Sequence, residues 1–151
     1  VPHFSTKTYG HDVGLSACFR QHKATSHCRF LHGYALAVTI KFGANELDER
    51  NWVIDFGGLG TFKDSLKAMF DHTLLIAQDD PHVDELGVLA GFDLADVRIV
   101  EATGCEAFAK LIFKSAEAWL VDNGHVPRVW VQSVEVREHG ANSAIYEKDA
   151  V

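Results

Sequence analysis

The sequence predicts an α+β domain in which antiparallel strands form one sheet and helices gather on one of its faces. Two stretches, near 35–42 and 128–138, alternate apolar with polar residues at the period of a half-buried strand, and two others, after Gly58 and after Thr103, repeat apolar residues at helical spacing. The chain has 151 residues, 47% of them hydrophobic, which suits one core and is short for two, so residues 1–151 read as a single domain.

A first strand is expected from His3, bent at Tyr9-Gly10-His11-Asp12 and continued from Leu15 to Phe19. Residues 22–30 carry no period and read as a loop. Leu36, Val38, Ile40 and Phe42 then alternate with Ala35, Ala37, Thr39 and Lys41, and because alternate side chains share a face, His32 and Tyr34 should point inward with the apolar set. Trp52-Val53-Ile54-Asp55-Phe56 reads as a short extended piece, after which Leu59, Phe62, Leu66 and Phe70 follow one helical face to an end near Asp71-His72. Residues 77–96 are acidic and irregular, with a turn at Asp79-Asp80-Pro81, and are expected to form a surface excursion.

Thr103, with Glu106 three residues on, has the spacing of a capping box, and Phe108, Ile112 and Trp119 carry a second helix to Asn123-Gly124. Trp130, Val134 and Val136 mark the buried face of a further strand, which Glu138 shares, and Gly140-Ala141-Asn142 turns the chain into a last strand over 143–148. The order strand, strand, helix, helix, strand, strand gives a four-stranded antiparallel sheet with two helices on one face. Its open edges invite closure by neighbouring subunits, which predicts a homo-oligomer.

Composition removes several classes of function. With 21 acidic against 14 basic residues the formal net charge is −7, which disfavours a nucleic-acid partner that binds through phosphates. No apolar run approaches the roughly 18–20 residues needed to span a bilayer, and Val1-Pro2-His3-Phe4 lacks a signal pattern, so a soluble, cytoplasmic chain without a membrane partner is expected. Three cysteines, Cys18, Cys28 and Cys105, are odd in number and widely spaced, which argues for free thiols rather than a disulfide framework.

The candidate chemistry is crowded. Nine histidines are present, and His22, His27 and His32 fall at five-residue intervals around Cys28. Cys28 lies between His27 and Arg29, whose positive charge would favour a nucleophilic or basic thiolate; Cys18 and Cys105 sit among apolar residues and read as small core side chains. Arg20, His27 and Arg29 are also able to meet anionic substrate groups directly. Asp71-His72 closes a helix, where a histidine gains from the helix C-terminal dipole, but adjacent helical residues do not face each other, so Asp71 is free to serve Cys28 or a substrate. Glu138, at a strand end, is placed to accept two hydrogen bonds from a guanidine-like ring edge.

Taken in order, Cys28-x-x-x-His32-Gly33, Val53-Ile54-Asp55-Phe56, Phe70-Asp71-His72-x-x-Leu75, Thr103-Gly104-Cys105-Glu106 and Val136-Arg137-Glu138 resemble the motif string of the 6-pyruvoyltetrahydropterin synthase and 6-carboxytetrahydropterin synthase family over nearly the whole chain. The resemblance implies the tunnelling fold, in which oligomerisation, as a trimer or hexamer, joins sheets into a barrel and places pterin sites between subunits. It implies Cys28, Asp71 and His72 as catalytic residues, with Glu138, Thr103 and Glu106 binding substrate. The implied activity is a lyase acting on 7,8-dihydroneopterin triphosphate or a related pterin by thiolate and imidazole proton transfer.

The same resemblance implies zinc held by three histidines, and here the chain departs from the pattern. The matching positions are Phe19, His32 and Tyr34, so His32 is the only matched ligand; His27 and His22 are candidate substitutes. An alternative function follows from that departure, a pterin or purine binder that has lost catalysis. A cysteine-histidine hydrolase using Cys28 and His72 has the right residue types without a recognisable nucleophile motif.

Overall fold

A computed structural model describes residues 1–150. The strands are β1 (His3–Tyr9), β2 (Leu15–Phe19), β3 (His32–Ala44), β4 (Thr73–Ala77), β5 (Asp96–Val100), β6 (Val129–His139) and β7 (Asn142–Glu147), with helices α1 (Gly60–Phe70), α2 (Val83–Gly91) and α3 (Cys105–Asp122). The long strand β3 organises the sheet. Its first half pairs with β2 and its second half with β1, both antiparallel, so that β1 and β2 lie end to end along one edge as the bent first strand requires. The other edge takes β6, which in turn pairs with β7.

The α+β architecture is as expected, but the sheet is larger. It has seven strands rather than four, because β4 adds to β2 and β5 to β4, both in parallel. All five residues of β4 are buried, as in a strand covered on both faces, and such a strand shows no alternation to read. The expected surface excursion at 77–96 is therefore mostly ordered structure: the end of β4, then α2, then the start of β5. The helices are not all on one face, either. Leu75 of β4 joins the main core beneath α1 and α3, whereas Leu74 points the other way and shares a crevice with Leu89 of α2.

Three local expectations are corrected. Residues 52–56 form no strand; Val53 and Ile54 are buried in a loop, and the Asp55 carboxylate accepts the Gly57 N–H at 2.9 Å to start a short turn. Trp130 does not share the core face of Val134 and Val136: the β3–β6 register slips between Lys41 and Phe42, so the buried residues are Val129, Val131, Val134 and Val136. A bulge resets the alternation that the pattern assumed to be continuous. Thr103 does not cap α3. Gly104, at φ +110°, is the N-cap residue, and the Thr103 hydroxyl instead donates to the Arg20 carbonyl at 2.7 Å.

The core is aromatic where β2 meets the helices, with Phe19, Phe42, Phe62, Phe70 and Phe108 among its fully buried side chains. No helix among the described residues is long and apolar enough to cross a membrane.

One buried ion pair ties these pieces together. Arg20 Nε donates to Asp80 Oδ2 at 2.7 Å, with the Asp80 side chain only 1% exposed. Burial pushes the Asp80 carboxyl up, but the Arg20 hydrogen bond and the His82 amide outweigh it and hold the group below its ordinary value. Asp80→Ala leaves the Arg20 guanidinium, whose side chain is 22% exposed, without its carboxylate, so it is expected to lose about 1–3 kcal/mol in urea unfolding at neutral pH. A depressed carboxyl contributes stability above its unfolded-state pKa, about 3.9, and loses it as pH falls through the lower folded value. The stability of the native chain should accordingly drop more steeply below about pH 4 than that of Asp80→Asn.

Candidate active site

Cys28, His32, Tyr34, Cys105 and Glu138 come together at the end of the sheet where β2 finishes and α3 begins. Cys28 sits in a single 3-10 turn, His27–Arg29, whose N-cap Ser26 accepts the Cys28 N–H at 3.4 Å. The Cys28 carbonyl accepts the Gln21 N–H at 3.0 Å, which clips the loop to the strand that precedes it. Arg20 adds a second clip by donating to the Arg29 carbonyl at 3.0 Å. With its guanidinium also on Asp80, Arg20 serves the scaffold instead of a substrate anion. Arg29 is likewise engaged, donating to the Ser26 carbonyl at 3.0 Å while its guanidinium lies over the Phe30 ring.

His32 and Tyr34 point to the core face, as the strand phase predicts, and the antiparallel register sets Phe19 directly opposite His32. The three rings form one cluster, with centroid separations of 5.1 Å for Phe19 and His32, 5.4 Å for His32 and Tyr34, and 6.2 Å for Phe19 and Tyr34. Burial, then the charge of Glu138 and the thiols of Cys28 and Cys105, pushes the Tyr34 phenol up, so its hydroxyl stays protonated.

Glu138 lies at a bulge, where the β6–β7 register shifts between Arg137 and His139. Its carboxylate reaches the Cys105 thiol in the first turn of α3. Burial, followed by the charge and hydrogen bond of Glu138, pushes that thiol up to about 12. Cys105 thus does more than fill the core: its thiol sits beside the Glu138 carboxylate. Its apolar neighbours in the sequence hid that role, and only the packing of α3 on β6 reveals it. Thr103 supports the same junction through the Arg20 carbonyl, while Glu106 is exposed at the rim of a groove of about 390 Å³ whose lining includes neither Cys28 nor Glu138.

Asp71 and His72 do face each other, contrary to the helical expectation. The helix stops at Phe70; Asp71 is extended and His72 is left-handed at φ +57°, which lets His72 Nδ1 donate to Asp71 Oδ1 at 2.7 Å. That hydrogen bond is the main reason the Asp71 carboxyl is held below its ordinary value. The imidazole itself projects outward, its side chain 85% exposed. Within one chain this pair does not meet Cys28. The His72 N–H donates to the Ser16 carbonyl, near the start of β2, whereas the Cys28 carbonyl accepts from Gln21, beyond the end of β2.

The implied zinc does not fit the residues present. Phenylalanine has no lone pair to offer and a neutral phenol is a poor ligand, leaving His32 as one imidazole where three are needed. Nor do the candidate substitutes gather. His22 lies 3.5 Å from Asp79, His27 is exposed, and among the described residues no group of three or more His, Cys, Asp or Glu side chains is placed to hold a metal ion.

The family model described as 6-pyruvoyl tetrahydropterin synthase matches residues 11–149. The chain belongs to the 6-pyruvoyl tetrahydropterin synthase family. Among its relatives, the Aquifex aeolicus (strain VF5) protein named 6-carboxy-5,6,7,8-tetrahydropterin synthase is 27% identical over 139 residues, covering 90% of this chain and 85% of its own. A protein of the same name from Rickettsia typhi (strain ATCC VR-144 / Wilmington) is 38% identical over 66 residues, 41% of this chain and 48% of its own. Among solved structures, an uncharacterized protein from Wolinella succinogenes aligns over 99% of both chains with a TM-score of 0.79 at 20% identity. A catalytic-residue mutant of 6-pyruvoyltetrahydropterin synthase from Plasmodium vivax aligns over 99% of both with a TM-score of 0.68 at 14% identity. The fold is therefore that of the tetrahydropterin synthases, a family of pterin lyases.

The close pairing of β2 and β3 that sets Phe19 against His32 has a direct test. A Cβ added at Gly33 would lie 2.6 Å from the Ala17 carbonyl oxygen, a backbone atom that cannot move aside. Gly33→Ala is expected to cost about 1–3 kcal/mol in denaturant unfolding. Gly87 in α2 has open space around it, and Gly87→Ala should stabilise by about 0.5–1 kcal/mol.

Proposed function

We propose that this chain is a pterin lyase acting on 7,8-dihydroneopterin triphosphate or a related pterin, with each site assembled between subunits of a homo-oligomer. The supporting observation is the split of the acid-base groups. Cys28 and Glu138 both act on the Tyr34 phenol at one end of β2, while the Asp71–His72 pair, already hydrogen-bonded and with its imidazole turned outward, lies at the other. A second copy bringing its own Asp71–His72 pair to this Cys28 completes the set. β1, β5 and β7 each pair along one side only, which leaves backbone edges for such joining into a trimer or hexamer.

In this reading Glu138, beside Cys105, accepts two hydrogen bonds from the guanidine-like edge of the pterin and fixes the ring. Cys28 as thiolate takes a proton from the side-chain carbon attached to the ring, and the electron pair left behind is delocalised into the ring. His72 of the partner subunit, oriented by its own Asp71, exchanges protons with the side-chain oxygens. Thr103 acts through Arg20 on the Cys28 loop, and Glu106 borders the groove beside α3.

The aromatic replacements at Phe19 and Tyr34 favour a second reading, a pterin or purine binder without turnover. Incubation with 7,8-dihydroneopterin triphosphate separates the two. The lyase releases triphosphate or acetaldehyde with a changed pterin, and Cys28→Ala slows this by about 10²–10⁴-fold. The binder gives tight association with no product, lost in Glu138→Ala. The shared site adds a sharper expectation. Cys28→Ala and His72→Ala are each inactive alone, but when co-refolded they should recover about one quarter of native activity, since random assembly pairs an intact Cys28 with an intact His72 at that frequency. No recovery on mixing would place the whole site within one chain.

A further inference from the structure

The strand β5 ends the sheet with an unguarded edge. Among the described residues it pairs with β4 alone. The Val100 carbonyl accepts the Gln78 N–H at 2.7 Å on that side, so residues 96, 98 and 100 turn their backbone groups toward β4, while Val97 and Ile99 turn theirs outward. Exposed edges are ordinarily blunted by lysine, proline or a bulge. The segment Asp96-Val97-Arg98-Ile99-Val100 has no lysine and no proline, and its arginine is turned back onto the Ala68 carbonyl and the Asp96 carboxylate. The side chains beside this edge are apolar. Ile99 is 54% exposed and shares a groove with Val88 of α2 and with Phe92 at the end of that helix, which are 53% and 70% exposed.

We propose that β5 is a two-fold contact surface between copies of this chain, on which β5 of one copy pairs antiparallel with β5 of a second about an axis through Val97. The register follows from the strand itself. With Val97 opposite its own symmetry mate, the outward N–H and C=O groups of the two copies bond each other, and Ile99 falls opposite the partner's Ala95. The same register sets Asp96 opposite the partner's Arg98, and Arg98 opposite the partner's Asp96, at the closely spaced positions that carry no backbone bond. Opposite charges therefore meet twice. Centring the pair on Arg98 or on Asp96 would instead set like charges directly against each other, which is destabilising. The occupant is a second copy because the surface is complementary to itself, and such an isologous contact closes on two subunits. On the face that carries α2, the join brings the two grooves lined by Val88, Phe92 and Ile99 side by side and removes apolar surface from water. The surface stands apart from Cys28 and Glu138 and does not rest on what that site binds.

Cross-linking of the full chain tests the register. Val97→Cys is expected to form a covalent dimer on air oxidation, because a hydrogen-bonded antiparallel pair holds its Cα atoms about 5.5 Å apart, within the span of a disulfide. Ala95→Cys, which faces Ile99 of the partner subunit, should not, and neither should the native chain with its three free cysteines. Sedimentation velocity tests the surface without a cross-link. Ile99→Lys places a charge on each side of the axis and should run at half the native mass, with an unchanged far-UV circular dichroism spectrum because the side chain it replaces is half exposed. Asp96→Arg, which sets arginine against arginine, should halve the mass as well. Combining it with Arg98→Asp rebuilds both ion pairs and should restore the native mass.

No covalent dimer from Val97→Cys, or native mass retained in Ile99→Lys, overturns the surface. Activity recovered on mixing Cys28→Ala with His72→Ala in the absence of a Val97→Cys dimer overturns the β5 contact alone and leaves the shared site standing. A double exchange that does not restore the mass overturns the register through Val97. A native chain that sediments as a monomer overturns the β5 surface and the shared site together.

Discussion

The Arg20–Asp80 ion pair is the constraint on which the rest of the site depends. Arg20 follows the last residue of β2, and through one guanidinium it holds Asp80 at the start of the α2 region and the carbonyl of Arg29 beside Cys28. Its own carbonyl accepts from Thr103, next to the N-terminus of α3. Four segments distant in sequence therefore meet at one residue. A lysine would not replace it, because two carboxylate bonds and a third to a carbonyl require a planar fork of donors. The pair is buried in an environment where its desolvation cost is met only by complete hydrogen bonding, and the His82 amide supplies a further bond to Asp80 at 2.9 Å.

What the sequence disclosed follows from what periodicity can report. Half-buried elements announce themselves: β3 through Leu36, Val38, Ile40 and Phe42, and α1 through Phe62, Leu66 and Phe70. Elements covered on both faces do not, which is why Thr73–Ala77 gave no strand signal and the parallel additions β4 and β5 went unseen. Departures from regular geometry were equally silent. The register slip beside Phe42 moved Trp130 off the core face, and the left-handed His72 turned two neighbours toward each other that an ideal helix would have kept apart. Both are single-residue events, below the resolution of a pattern taken over several residues.

Residue types and motif order carried more of the site than spacing did. Cys28, Glu138 and the Asp71–His72 pair were identified as candidates, and the structure gathers Cys28 and Glu138 with Tyr34 while setting Asp71–His72 apart. Cys105 and Asp80 were missed because the contact that gives each its role is with a residue far away in sequence. Cys105 reaches Glu138 across 33 positions and Asp80 reaches Arg20 across 60, and neither pairing leaves a local signature.

The aromatic residues at two of the three implied ligand positions are not equivalent. Phe19 has become core: it is fully buried, meets Phe108 edge-on at 5.0 Å, and Phe108 in turn meets Phe70 at 5.4 Å, so a chain of rings joins β2 to α3 and α1. Burying such a side chain contributes about 1.5–3 kcal/mol, and a histidine there would place a polar ring against apolar edges with no partner on that side. Tyr34 is different. It remains half-buried, and the charges of Glu138, Cys28 and Cys105 all act on its phenol. One replacement has joined the core and the other has kept a donor in the pocket. A merely lost ligand set predicts neither outcome. The pair is what a pocket would show if the demands of metal coordination had been exchanged for packing on one wall and hydrogen bonding on the other, with His32 left between them.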